Sequence, residues 1–451
     1  MTQLAEKLQP WLAALDERPK GGPRWLQDLR ERGAERFAAL GFPSVREEEW
    51  RFTPVTPIAS AEFQLASEAA TLTESDLAGY VYGDAPHRIV ILNGRYSPAL
   101  SRTSGLASGV RVGSLAAAIS ERADDVARFL GRLADFDARP FAALNTAFID
   151  DGAVVQIPDG AVIDGPIQLL FVAANGTETA RPAAADGRPS MVHPRVLIIA
   201  GAGSQSRIVE TYVGQRGERY FANAVTEVFV GENALLDHYK VQEDSVQAFH
   251  VASMHVHAAR SSTFSSHSFT LGGKLVRNDV LATLDGEGAE CTLNGMYLAD
   301  GDRLVDNHTT IDHAKPHCPS HEIYKGILGG RARAVFNGKI IVRPDAQKTD
   351  AKQTNRALLL TDDASINTKP QLEIFADDVK CTHGAAIGQL DEDAIFYLRA
   401  RGFTYFEARD MLIHAFAGDI LERIKIEPLR IALEAELYAQ LAKDLAEMDG
   451  V

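Results

Sequence analysis

The chain has 451 residues, of which 45% are hydrophobic, 24% charged and 8% aromatic. This is an ordinary globular composition with ample material for a core. Its 46 basic and 61 acidic side chains leave a net charge of −15. That balance argues against a nucleic-acid or anionic-membrane partner, since nothing offsets phosphate repulsion. Three cysteines, Cys291, Cys318 and Cys381, are too few for a disulfide scaffold, or for one chain to supply four thiolates to a cluster or zinc ion. The start MTQLAEKLQPWL lacks the basic-then-apolar layout of a secretory signal, and no apolar run reaches 18 residues. The expectation is a cytoplasmic protein with reduced thiols and no membrane span.

Residues 1 to about 45 carry helical periodicity in Leu4, Leu8, Trp11, Leu12 and Leu15, resumed after the break at 21–23 by Trp25, Leu29, Phe37 and Leu40. A mixed stretch leads to RIVILNG (88–94), which predicts a short buried strand closing in a turn. Residues 114–149 return to a helical pattern. From 150 to 388 the texture is short β-branched runs separated by Gly, Asp and Asn, and 176–190 form a low-complexity loop expected to move. From 389 helical periodicity resumes, with Pro428 opening the last helix. The predicted divisions are a helical and mixed region (1–149), a β core (150–388) and a helical domain (389–451).

The β region holds a repeat of turn, small residue, polar residue and inward apolar residue. It ends at Ile208, Leu236, Phe264, Cys291, Val335, Ile366 and Cys381. A period near 28 predicts stacked coils of a β-solenoid; a β-sandwich with aligned turns is the alternative. The wide interval from Cys291 to Val335 predicts an inserted loop, and the short one from Ile366 to Cys381 predicts two strands of one coil.

No nucleotide or hydrolase signature survives inspection. GGKL (272–275) and NGKI (337–340) lack the Ser or Thr of a P-loop, and with GAGSQS (201–206) they read as solenoid turns. There is no G-x-S-x-G and no H-E-x-x-H. Residues 306–326 concentrate His308, His313, His317, Cys318 and His321. They are either metal ligands or solvated side chains of the inserted loop. Cys381 and His383, two apart, share one face of the last strand. They are either an ordinary core cysteine and a bonded histidine, or ligands at an edge completed by another chain.

The run 337–402, NGKIIVRPDAQKTDAKQTNRALLLTDDASINTKPQLEIFADDVKCTHGAAIGQLDEDAIFYLRARG, resembles the signature block of the SufB/SufD family of iron–sulfur cluster assembly proteins. REEEWRFTPV (46–55), RIVILNGRYSPALS (88–101) and HEIYKGIL (321–328) match the same family in order, and the pattern is closer to its SufD branch. The resemblance implies a right-handed parallel β-helix between helical flanks. It also implies a non-catalytic scaffold that pairs with a SufB-like subunit and docks a SufC-like ATPase through its C-terminal helices. A transient iron–sulfur cluster would be shared with SufB, with no nucleotide bound by this chain. His383 corresponds to the family's functional histidine and Cys381 to a neighbouring cysteine, both as metal ligands. A homodimer of the isolated chain is compatible with this. A β-helix enzyme acting on polysaccharides is the competing reading.

The stripe Ala408, Met411, Leu412, Ala415 and Phe416 is expected to pack partly on the solenoid end, leaving a surface for the ATPase.

Overall fold

The computed structural model describes residues 3–17, 19–66, 72–174 and 188–448. Most of the expected loop at 176–190 lies outside them. Two parallel sheets face one another, and the chain passes alternately between them. The first stacks Gly152–Ile157, Arg195–Ala200, Tyr220–Val230, Phe249–Ala258, Leu275–Leu284, Leu304–His313, Arg333–Val342 and Ser365–Ile374. The second stacks Val162–Ala173, Gln205–Gly214, Leu235–Glu243, Thr263–Thr270, Glu290–Ala299, Pro319–Leu328, Asp350–Leu359 and Lys380–Gly388. This is a parallel β-solenoid. His87–Leu92 begins the second sheet by pairing with the strand Val162–Ala173, and Asn93–Gly94 turn it with positive φ at both residues.

Successive coils repeat the same side-chain position. One inward column of the second sheet runs Ser206, Leu236, Phe264, Cys291, Ser320, Ala351, Cys381. Four of the residues singled out by the sequence repeat stand in it. Ile208 also points inward, two residues further along its strand than Ser206, opposite His238. The other two belong to the first sheet. Val335 faces outward against the N-terminal helices, and Ile366 packs against the interior. There is no inserted loop between Cys291 and Val335. The intervening coil carries the polar Ser320 where an apolar residue was sought, so the repeat continues unseen. Residues 304–313 and 319–328 are regular strands. NGKI is not a turn either: it lies inside Arg333–Val342.

Each sheet has an outer face, and helices cover both. Gln3–Asp16, Arg24–Leu40 and Pro140–Ala147 bury Trp11, Phe37 and Phe141 against Phe221, Phe249, Leu304 and Val335 of the first sheet. Tyr405–Leu421 and Glu427–Met448 cover the second sheet, packing Ile413, Ala417, Ile420 and Leu433 on Tyr239, Phe269, Met296 and Ile327. The C-terminal helices therefore lie along the side of the solenoid, not on its end. Their buried face is also rotated from the expected stripe: Ala408, Ile413, Ala417 and Ile420 are buried, while Met411 is 45% exposed. The outward aromatic and β-branched residues of the strands select this face, which composition of the helix alone does not reveal.

Phe264 is fully buried between the sheets. Phe264→Ala leaves a cavity that rigid neighbouring coils cannot close, so it should destabilise the chain by about 3–5 kcal/mol in denaturant unfolding. A loss comparable to that of a surface substitution would contradict the register.

Candidate functional site

The solenoid ends in two strands, Ser365–Ile374 and Lys380–Gly388, each paired on one side only among the described residues. Every residue from Thr382 to Gly388 is exposed. An edge of this kind presents a row of unpaired backbone donors and acceptors. His383 sits on it, in register with Gln353. It terminates a second inward column: Ile208, His238, Ser266, Leu293, Glu322, Gln353, His383. His383 thus occupies the position where the next coil would stack. Cys381 lies on the same face, half-buried against Ile340, Val342 and Ala351. Burial pushes its thiol above the ordinary value, with Asp350 adding to the effect and the Ala351 backbone opposing it. Cys291 and Cys318 are enclosed in the core, and burial drives the thiols of both upward. They are inert packing residues.

The histidine-rich stretch 306–326 does not gather. His308 projects outward from the first sheet, and His313 is buried beside Ser320 at 3.0 Å. His317 holds a turn with positive φ, Cys318 donates to the Gly286 carbonyl, and His321 is half-buried on the second sheet. Among the described residues no group of His, Cys, Asp and Glu is arranged to hold a metal ion.

His308 has a different task. Arg277, Asp306 and His308 form a charged cluster under residues 48–53. The Arg277 guanidinium lies 3.9 Å from the Trp50 ring centroid, bonds the Glu49 carbonyl at 2.6 Å and pairs with Asp306 at 2.8 Å. Thr53 donates to Asp306, and His308 meets Glu49 at 3.2 Å and Asp306 at 3.0 Å. Desolvation, the largest influence, and the nearby Arg277 both oppose charge on His308, but the Asp306 and Glu49 carboxylates together outweigh them and its pKa is raised. The E-E-W-R-F-T segment is thereby clamped to the sheet, beside a cleft of about 970 Å³ that reaches Lys369 and Ile387 on the last strands.

Sequence reading missed Glu322 and Gln353. The signal was present in the true repeat: counting back one coil at a time from His383 lands on Gln353 and then Glu322. Gln353 donates from Nε2 to the Glu322 carboxylate at 2.7 Å. Gly338 makes room for this, since a Cβ there would meet Gln353 Nε2 at 2.2 Å. Burial lifts the Glu322 pKa from the usual carboxyl range to about 7, only partly offset by Thr309 and Gln353.

The geometry agrees with what the chain is similar to. Residues 18–169 match the family model for the SufBD protein N-terminal region, and residues 182–416 match that for the SUF system FeS cluster assembly SufBD core domain. An iron–sulfur cluster assembly SufBD family protein of Synechocystis is 35% identical over 90% of this chain and 89% of its own length. The iron–sulfur cluster assembly protein SufD of Escherichia coli is 29% identical over 96% of both chains. The SufD of Bacillus subtilis is 24% identical over 94% of this chain and 95% of its own. This chain belongs to the SufB/SufD family of iron–sulfur cluster assembly proteins, with relatives named SufD across nearly its whole length. No helix among the described residues is long and apolar enough to cross a membrane.

Because the folded chain binds the Glu322 proton more tightly than the unfolded one does, this group favours folding below about pH 4.5, and the benefit is lost as pH rises through about 7. Glu322→Gln should therefore be the more stable chain at pH 8, by on the order of 3 kcal/mol, with the gap closing towards pH 5. Paired denaturant curves across that range check both sign and window.

Proposed function

We propose that this chain is the SufD-type scaffold subunit of a SufB–SufC–SufD assembly. Its open solenoid end pairs with a SufB-like subunit, and its C-terminal helices dock a SufC-like ATPase. His383 and Cys381 contribute ligands to an iron or iron–sulfur site shared with SufB. The chain itself binds no nucleotide and catalyses no step; ATP hydrolysis belongs to SufC. The compartment is the cytoplasm, and the working division is 1–149, 150–388 and 389–451.

The observation that carries this reading is His383 at the unpaired end of an inward column. A cluster takes about four protein ligands, and this end offers two. The missing ones must come from a chain that continues the stack. Transient cargo suits a site divided between two subunits, because neither holds it alone. The docking of an ATPase is supported by a second surface. Phe396, Tyr397, Phe403, Tyr405 and Met411 are all exposed on or between the helices that follow the last strand. So many large apolar side chains close together in sequence mark an interaction surface. The reading as a polysaccharide enzyme needs an open sheet face for a groove, and helices cover both faces.

His383→Ala should leave fold stability within about 1 kcal/mol, since the ring is exposed. Co-expressed with SufB-like and SufC-like partners, it should give a complex of normal mass whose cluster content falls sharply. His383→Cys should restore part of it, because thiolate also ligates iron. Undiminished cluster in the Ala variant would show that the site lies elsewhere. Separately, Phe396→Asp with Met411→Glu should abolish co-purification of the SufC-like ATPase while the SufB-like subunit still binds. Loss of both partners together would indicate unfolding.

A further inference from the structure

The interior of the last coils holds a carboxylate that works against stability. Glu322 is 1% exposed, and no lysine, arginine or histidine among the described residues offsets it. Its titratable neighbours are Cys291 and Tyr324, both kept neutral by burial, and Thr309 faces it from the opposite sheet. A carboxyl group placed so has one hydrogen-bonded companion, Gln353. That bond uses the amide nitrogen and so fixes the amide's polarity. The carbonyl oxygen, Oε1, is buried without a partner among the described residues. A buried acceptor left in this state has lost its hydrogen bond to water without gaining another. The next residue in the column, one strand spacing of about 4.8 Å further on, is His383. Its surroundings at the edge are Cys381 on the same face and Asp350 on the preceding strand.

Resting on the reading of His383 as a ligand, we propose that Glu322 and Gln353 are positioning residues for it. The Glu322 carboxylate holds the Gln353 amide, which leaves its unpartnered oxygen ready to accept the N–H of His383 once the ring turns towards the interior. The other ring nitrogen then carries the free lone pair and faces the open end. Only a nitrogen without a proton can ligate a metal, and the bond made by one nitrogen selects which is free. Gly338 belongs to the same device, because any side chain there would displace the Gln353 amide. Protonated Glu322 can itself donate to the Gln353 oxygen. The arrangement is therefore firmest where Glu322 is ionised, above about pH 7.

Ring nitrogen-15 spectra of the full chain, labelled on histidine, test this without any cluster or partner. The His383 signals are assigned by their loss in His383→Ala. At pH 8 the wild-type ring should favour one tautomer, and Gln353→Met, which keeps length and removes the amide, should shift the tautomer ratio about tenfold, or about 1.4 kcal/mol. Glu322→Gln keeps an acceptor for the Gln353 amide, so at pH 8 it should retain the wild-type preference. Identical ring shifts in wild type and Gln353→Met overturn the proposal. If Gln353→Met does not fold, Glu322→Met, which removes the acceptor that holds the Gln353 amide, takes its place, and a tautomer ratio unchanged from wild type at pH 8 overturns the proposal instead. A relay confirmed by these spectra, together with undiminished cluster in the His383→Ala complex, would sink the ligand assignment alone.

Discussion

Register between successive coils is the constraint on which this molecule depends. In a parallel solenoid every inward side chain stacks on its counterpart one coil away, so a single column such as Leu236, Phe264 and Cys291 must be compatible along its length. The period of side-chain alternation is two, and a slip of one residue would turn every inward residue out. Glycines show how tight the fit is. Gly295 lies beside Tyr324 and Gly326 beside Tyr297, and a Cβ on either would meet the neighbouring ring at 2.2 Å. Each ring crosses the flat backbone of the adjacent strand.

The same stacking creates the problem of the ends. At the start, His87–Leu92 and the antiparallel strand Arg111–Ser114 extend the sheets and close them off. At the finish nothing among the described residues does so, and the last strand of each sheet is open. The sides are handled by charge as well as by apolar cover. Arg195 and Glu227, both 0% exposed, meet at 2.6 Å on the outer face of the first sheet. Glu227 also accepts from the backbone of Gly131 and Leu133, at 2.8 Å each. A buried pair of this sort contributes little net stability against an apolar replacement. What it supplies is a single way to seat the loop 131–133, since any other seating strands a charge. The Arg277, Asp306 and Glu49 cluster fixes residues 48–53 in the same manner.

Glu322 marks where stability and function part. The coils around it are apolar, built from Phe336, Tyr324 and Leu293, and an apolar residue in its place would relieve a desolvation cost. The column it occupies leads to the open end, which is where a polar device has a use. Interior polar residues such as His238 and Ser266 stand in that column too, bonded to each other at 3.0 Å. Only at its last two buried positions does the hydrogen-bonding chain point outward with an unspent acceptor.

The solenoid, its helical flanks and the family were legible in the sequence, because β-branched runs at a near-constant period and a continuous motif block are local signals. So was the shared face of Cys381 and His383, which follows from alternation alone. The sequence misleads where a coil carries a polar residue in an apolar column: Ser320 hides one repeat, and Val335, one position along its strand from the inward Ala334, mimics an inward residue while facing outward. It was silent on what each histidine of 306–326 touches, since neighbours in sequence face opposite ways on a strand while true neighbours lie about one coil away. Only the tertiary structure brought Glu49 to His308 across 259 residues, turned the C-terminal helices along the side of the second sheet, and set Glu322 and Gln353 behind His383. These are decided by stacking, which pairs residues by coil and not by proximity in the chain.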